Sequence, residues 1–298
     1  MKKHTKHSLP FVSIVMPVFN AGMYLRQSID SILAQTYSHF EFIIVDDAST
    51  DNSLEILKEY AKKDKRITVL TNKKNLGVSM TVKKAIKKAK GTYLARMDAD
   101  DISYPERLEK QVAYLSTHPH TVAVGTQCSV IDKRGKEVGE KKFPLHHNEI
   151  YKYISILIPV QQPSLMIAKN RLPKTFEYYV DGMNTAEEVE LIFKLFKYGN
   201  VENLPEKLLR YRLHGENTSL KDIKKTFLLT LLSRIKAITV HGYKPPVKGI
   251  VATIIQTALV LLLPTSVTLF IYTTIKHMVK HPWISAFSNR QLLRFNPA

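Results

Sequence analysis

The chain has 298 residues, 44% of them hydrophobic, which allows one large domain or two small ones and excludes a disordered chain. Forty-four Lys or Arg against 26 acids leave +18 at pH 7, so nucleic acid is the first partner to consider and the location of the charge becomes the question. A mean hydropathy of −0.14 argues against a polytopic membrane protein, and the single cysteine, Cys128, excludes an intrachain disulfide and a cysteine-rich metal site.

Residues 11–18 (FVSIVMPV) form a continuous apolar run ending at Phe19-Asn20, the pattern of a strand buried on both faces. After Gly22, the residues Leu25, Ile29, Ile32 and Leu33 recur at helical spacing. Residues 41–45 read as a second strand leading into Asp46-Asp47, and Asp51-Asn52-Ser53 can cap a helix carrying Leu54, Ile56, Leu57 and Tyr60. A third strand is expected over 67–70, a lysine-faced helix over 78–89 and a fourth strand over 92–97. Strands alternating with helices predict an α/β fold, a mostly parallel twisted sheet with helices on both faces. Ligands of such sheets gather at the carboxyl ends of the strands. Residues 17–20, Asp46-Asp47 and residues 98–101 (DADD) all fall there.

No strand is followed by GxGxxG and no GxxxxGK[ST] occurs, so neither the dinucleotide fingerprint nor the phosphate loop is present. A nucleotide bound here needs a metal and side chains to hold its phosphates. Three carboxylates within four residues, Asp98, Asp100 and Asp101, repel one another unless a cation or solvent intervenes, and carboxylates with phosphate oxygens are a usual way to hold Mg²⁺ or Mn²⁺. A solvated turn with a helix cap is the alternative for this cluster alone; a second acidic pair, Asp46-Asp47, at a neighbouring strand end favours the metal, although either aspartate could instead cap the next helix. A third cluster, Glu187, Glu188 and Glu190, opens a helix whose apolar side is Val189, Leu191, Ile192 and Leu195. Acids suit a helix N-terminus through the macrodipole. Adjacent glutamates point about 100° apart, so at most one of Glu187 and Glu188 faces a given cleft.

In this order and spacing the clusters resemble the inverting GT-A glycosyltransferases of family 2. The resemblance runs through VSIVMPVFNAGMYLRQSIDSILAQTYSHFEFIIVDDASTD (residues 12–51), NLGVS (75–79), ARMDADD (95–101), QQPSLMI (161–167), AEEVELIFKL (186–195) and YRLHGENTS (211–219), covering about residues 11–220. It implies a nucleotide-diphospho-sugar transferase fold, a divalent cation (Mn²⁺ or Mg²⁺) and a nucleotide-sugar donor, with a UDP-sugar first among candidates. It places Pro17 and Phe19, with Asp47 and Asp46, around the base and ribose, and Asn75 over the nucleotide. Asp98 and Asp100 become the DxD motif, Asp100 the more direct metal ligand. The last acid of the family's AED motif is the catalytic base, and that position is Glu188. His214 falls near the diphosphate as a metal ligand or a support for the leaving group, and Arg212 pairs with phosphate or with an acid of the body. Gln162-Pro163-Ser164 stands where relatives often have His-Pro-Ser, and no QxxRW motif of processive synthases occurs, which argues for one sugar added per acceptor.

The chemistry suits these residues. Displacing a nucleoside diphosphate from an anomeric carbon builds charge on the departing phosphate, which a divalent ion stabilises. The acceptor hydroxyl needs a carboxylate in reach to take its proton as it attacks the opposite face. No covalent nucleophile is required.

The charge lies mostly behind this body. Residues 221–298 hold eleven Lys or Arg against one acid, Asp222, and so carry +10 of the +18, while the first 220 residues are mildly basic. The 27 residues between Lys248 and Lys276 have no charged side chain. Three segments are therefore expected: a basic N-terminus (1–10), a GT-A domain (11–220) and a basic, apolar helical tail (221–298). In the tail, residues 222–240 place Ile223, Phe227, Leu228, Leu231, Ile235 and Ile238 on one stripe, with Lys224, Lys225, Arg234 and Lys236 elsewhere on the surface. Pro264 interrupts the uncharged stretch and predicts two short helices rather than one span. Interfacial anchoring, a true span and ordinary packing are the three readings, and the flanks Lys244, Lys248, Lys276 and Lys280 favour an anionic membrane surface.

The expectation is a cytoplasmic, peripheral enzyme on the inner face of the membrane, since MKKHTKHSLP lacks the apolar core of a secretory signal. Its partners are a nucleotide sugar and a glycan or lipid-linked acceptor of surface polysaccharide or glycolipid assembly, with no nucleic acid; a homo-oligomer is left open. A sugar-phosphate nucleotidyltransferase would show a glycine-rich loop where this chain has MPVFNAG, and a non-enzymatic basic binding module would leave the acidic clusters unexplained. A receiver domain would be shorter and would not need residues 98–101 or Glu188.

Overall fold

A computed structural model of the protein describes residues 9–181, 186–214, 223–265 and 267–268. Most of the basic N-terminal segment, the end of YRLHGENTS, Asp222, and Lys276, Lys280 and the rest of the tail's end lie outside the described residues. The elements run β1 (Val12–Val18), α1 (Gly22–Leu33), β2 (Phe40–Asp46), α2 (Ser53–Lys63), β3 (Ile67–Thr71), α3 (Val78–Ile86), β4 (Tyr93–Arg96), β5 (Ile102–Ser103), α4 (Arg107–Thr117), β6 (Thr121–Ile131), β7 (Glu137–Lys141), α5 (His147–Tyr153), a 3-10 turn (Gln162–Ser164), β8 (Met166–Ala168), a second 3-10 turn (Lys169–Arg171), α6 (Glu187–Leu195), β9 (Asn200–Arg212), α7 (Ile223–Thr239) and α8 (Val247–Leu262).

One sheet carries nine strands in the order β3-β2-β1-β4-β8-β6-β9-β5, with β7 paired to β6. The first four are parallel neighbours, as alternating strands and helices require. Alternate β1 side chains enter opposite cores. Val12, Ile14, Met16 and Val18 pack with Leu25, Ile29, Ile56 and Leu108 of α1, α2 and α4, whereas Val15 packs with Val82, Ile150 and Val189 of α3, α5 and α6. This double burial explains why the strand reads as an unbroken apolar run.

Beyond β4 the sheet becomes mixed. β8 runs antiparallel to β4 and β6, β5 is antiparallel to β9, and β6 and β9 run parallel. This half does the positioning. The antiparallel β8 returns the turn Gln162–Ser164 to the carboxyl end of β4, and β5, directly after DADD, pairs Ile102 with Arg210 and so brings the end of β9 beside the acidic turn.

The tail is helical as expected, and part of its apolar stripe faces outward. α7 buries Thr230, Ser233, Arg234 and Ala237, spaced as one helical face, and exposes Leu228, Leu232, Ile235 and Ile238. Arg234, expected on the surface, is therefore interior, its guanidinium donating to Gln256 Oε1 at 3.0 Å and to the Ile156 carbonyl at 3.0 Å. The reason is the docking site: α7 and α8 meet backbone oxygens, with Thr253 and Gln256 of α8 also donating to Ser155 O and Ile156 O. α8 ends at Leu262, where Leu263 turns to extended backbone ahead of Pro264. No helix among the described residues is long and apolar enough to cross a membrane.

Candidate active site

The carboxyl ends of β1, β2 and β4 form one edge, and the loops leaving them are laced together. Asn20 Oδ1 accepts from Thr50 N at 2.8 Å, Asn20 N donates to Ser49 Oγ at 3.0 Å, and Asp51 accepts from Gly22 N at 2.9 Å and Ser53 N at 3.0 Å. Asn52, at the N-cap position of α2, makes no side-chain cap bond, and Asp51 satisfies the first helical N–H instead. A Cβ on Gly22 would stand 1.9 Å from Asn52 Oδ1, so a larger residue there would require the exposed Asn52 side chain to move. Phe19 projects from the edge, 49% exposed, beside half-buried Pro17.

Asp46 and Asp47 are both buried, and neither caps α2. Asp47 takes Asn72 Nδ2 at 2.7 Å, Leu76 N at 2.9 Å and Gly77 N at 2.9 Å, and so pins the loop that carries exposed Asn75. Gly77 holds φ +83 as α3 begins, a conformation that favours glycine. Asp46 Oδ2 accepts from Ser49 N at 3.2 Å, while its Oδ1 is buried with no hydrogen-bond partner.

At the end of β4 the carboxylates of Asp98, Asp100 and Asp101 offer ligand atoms within 4.8 Å of one another. Hard oxygen donors so close suit Mg²⁺ or Mn²⁺. His214 Nε2 lies 2.8 Å from Asp100 Oδ2 and its ring stacks on Tyr24, so the structure places His214 at the acidic turn. Asp101 had no separate role in the sequence reading; it is 1% exposed, its Oδ1 accepts from Arg212 N at 2.9 Å and its Oδ2 is buried without a partner. Burial and the charges of Asp100 and Asp98 push its carboxyl well up, the condition a bound cation would relieve. Asp98 is also raised, by burial against the opposing pull of Arg96.

Two arginines hold this turn. Arg212, 1% exposed, donates through Nε to Asp100 O at 2.7 Å and through its terminal nitrogens to Gln27 Oε1 at 2.9 Å and Asp132 O at 3.2 Å, with its guanidinium over the Tyr24 ring. These contacts are with the protein's own turns and with α1. Arg96, a charge at the end of an apolar strand, pairs with Asp98 at 2.6 Å. Nothing in the sequence marked this arginine beyond its place in ARMDADD. Fully buried Arg107 donates to Pro163 O at 2.7 Å and Arg96 O at 3.3 Å, joining the Gln162–Ser164 turn to β4; burial lowers its guanidinium to about 10.

Across from the acidic turn, α6 opens after Ala186, which sits at φ 60. Glu187 is buried and Glu188 half-buried, so of the adjacent pair Glu188 is the one nearer solvent. Burial, then the neighbouring Glu188 charge, pushes Glu187 up to about 8. Glu188 is raised by burial and by Asp98, while a backbone hydrogen bond, Arg96 and Lys141 lower it. Lys141, over the Tyr211 ring and 3.1 Å from Gln161 Oε1, is a second cation that no sequence motif had flagged.

Strand ends gathered on one edge, a hard-oxygen cluster at the end of β4 and the fold around them are those of a nucleotide-diphospho-sugar transferase of GT-A type. The chain belongs to glycosyl transferase family 2, which its residues 13–174 match, and it is a glycosyltransferase. It is similar to the O-antigen biosynthesis glycosyltransferase WbnJ of Escherichia coli, 36% identical over 70% of this chain and 82% of that one. Its fold is shared with TarS of S. aureus, solved with UDP-GlcNAc (TM-score 0.61, 20% identity, 78% of this chain and 68% of that one). It is shared too with the mannosyltransferase PcManGT of Pyrobaculum calidifontis, solved with GDP-Man and Mn²⁺ (TM-score 0.57, 14% identity, 93% and 82%).

Proposed function

We propose that the protein transfers one sugar, with inversion, from a nucleoside-diphosphate sugar to a hydroxyl of a glycan or lipid-linked acceptor in cell-surface polysaccharide or glycolipid assembly. The observation that carries this is the cluster of Asp98, Asp100 and Asp101, with His214 on Asp100, set opposite the Glu187-Glu188 start of α6. The O-antigen role of WbnJ supports the pathway class. UDP-GlcNAc on TarS and GDP-Man with Mn²⁺ on PcManGT support the donor class and the metal, and a UDP-sugar is the first candidate.

In this reading Pro17, Phe19, Asp46 and Asp47 receive the base and ribose, and the Asn75 loop covers them. Asp98, Asp100 and His214 hold Mn²⁺ or Mg²⁺, which when bound supplies Lewis-acid stabilisation of the departing diphosphate. Arg212 serves the same site by fixing the Asp100 carbonyl. Glu188 takes the acceptor proton, and its raised carboxyl sits closer to the working pH of a general base than an exposed glutamate would. Release of nucleoside diphosphate from a panel of UDP-, dTDP- and GDP-sugars with Mn²⁺ tests this. One donor class turned over, with loss on chelation and in Asp100→Asn, is the expected result; no turnover of any would contradict it.

The outward apolar faces of α7 and α8 support the peripheral membrane reading. Ile235 is 49% and Ile254 63% exposed, and residues 223–298 contain no acid. Such a surface suits lying in an anionic interface. Sedimentation with anionic vesicles at low salt is expected for the wild type and reduced in Ile235→Asp/Ile254→Asp; equal sedimentation of both would remove the helices' apolar face from the account.

A further inference from the structure

α6 carries the acceptor-side carboxylates in its first turn, yet it is not a surface helix: residues 189–193 are all buried. The sheet covers one side, and the tail helix α7 closes another. The joint between them is ionic. Glu190, with a side chain 5% exposed, accepts from Lys236 Nζ of α7 at 2.6 Å, and Lys194 lies 3.4 Å from the same oxygen. Lys197, one turn further on, donates to the Val240 carbonyl at 3.1 Å, just past the end of α7. Ala237 is fully buried at this contact, one residue from Lys236. Glu190 is two residues from Glu188 and one turn from Glu187.

We infer that α7 is a brace of the catalytic helix and that the Lys236–Glu190 pair is a positioning contact for Glu188, so that the tail takes part in turnover as well as in any surface attachment. The inference rests on Glu188 being the base. A general base works only within hydrogen-bond reach of the proton it takes, and small displacements of a reacting group are costly in rate. A carboxylate this buried, deprived of one of its two lysines, is left undercompensated and draws solvent or rearranges. The displacement would be felt first in the turn beside it, where Glu187 and Glu188 sit. Donor contacts on β1, β2 and β4 are on other elements and should be spared.

The test uses the full chain and whichever UDP-, dTDP- or GDP-sugar the wild type turns over fastest. Lys236→Met is expected to lower kcat about tenfold, with donor KM within about twofold, and to speed amide hydrogen exchange at residues 187–190. Lys236→Arg should restore kcat, and adding Glu190→Gln to Lys236→Met should cost no more than either alone. Should Lys236→Met fail to fold, Lys197→Met, just past the end of α6, should show the same pattern in reduced size. Unchanged kcat and exchange, a loss confined to KM, or no rescue by arginine would overturn the inference. Glu188→Gln measured in parallel separates the two ideas: if it keeps transfer the base assignment fails, while exchange at 187–190 still decides whether α7 braces the helix.

Discussion

Arg212→Met separates two roles that the sequence allowed for one residue, phosphate partner or internal clamp. The residue is 1% exposed, and its guanidinium's hydrogen bonds include three of 2.7–3.2 Å, to Asp100 O, Gln27 Oε1 and Asp132 O, and a longer one of 3.5 Å to Lys133 O. Methionine keeps the apolar stem and removes them all, the three short ones carrying most of the effect. At about 1.5 kcal/mol each for bonds from a charged donor, the gross loss is about 4–5 kcal/mol, offset in part because a buried charge no longer needs desolvation. A net loss of about 3 kcal/mol, or roughly 6–9 °C in Tm for a chain of this size, is the expectation. Because one bond holds the Asp100 carbonyl, the Mn²⁺ half-saturation should rise about tenfold in titrations followed by nucleotide release or manganese EPR, as expected when a partner that orients a metal ligand is lost. Arg212→Lys should recover little, since an ammonium cannot span the three acceptors. A methionine variant with wild-type Tm and metal response, whose loss lies only in donor KM, would refute the clamp and assign the side chain to phosphate.

Glu187→Gln tests the buried acid beside the base. A carboxyl at about 8 in the fold and 4.5 when unfolded binds its proton more tightly in the native state, so its contribution to stability is complete below about pH 4.5 and is lost as pH rises through 8. In chelator, the glutamine variant should therefore gain unfolding stability over wild type as pH goes from 5 to 8, by up to a few kcal/mol on the scale of about 1.4 kcal/mol per pKa unit, read from Tm and denaturant melts; a pH-independent difference would show that Glu187 is not held neutral. Cys128, buried with its thiol pushed up by burial, should resist iodoacetamide in the native protein and react fully after unfolding. Prompt native labelling would mean that the β6 core opens readily.

The half of the fold that alternates strand and helix was legible because β1, β2 and β4 are buried on both faces and each crossover helix keeps one apolar side. The acidic turn was legible as well, since three carboxylates at a strand end have few structural uses. What could not be read depends on partners far along the chain. β6 pairs with β9 across some eighty residues, and it is this pairing, with β5 on β9, that delivers Arg212 and His214 to Asp100. Arg234 shows the limit most clearly. α7 has Phe227, Leu228, Leu229, Leu231 and Leu232 in close succession, so several apolar faces fit the sequence, and what chose among them was a docking surface of backbone oxygens at Ser155 and Ile156. Lys141 and Tyr24 gave no motif signal; their roles follow from what lies across the cleft.

The central claim is that metal-dependent transfer runs through one carboxylate at the start of α6. Its most direct test is the transfer rate of Glu188→Gln at saturating donor and Mn²⁺, with donor affinity measured by calorimetry on the same preparation. The account predicts donor affinity within a few-fold of wild type and transfer lower by about 10²–10⁴, the scale of a lost general base. Transfer near the wild-type rate would contradict it.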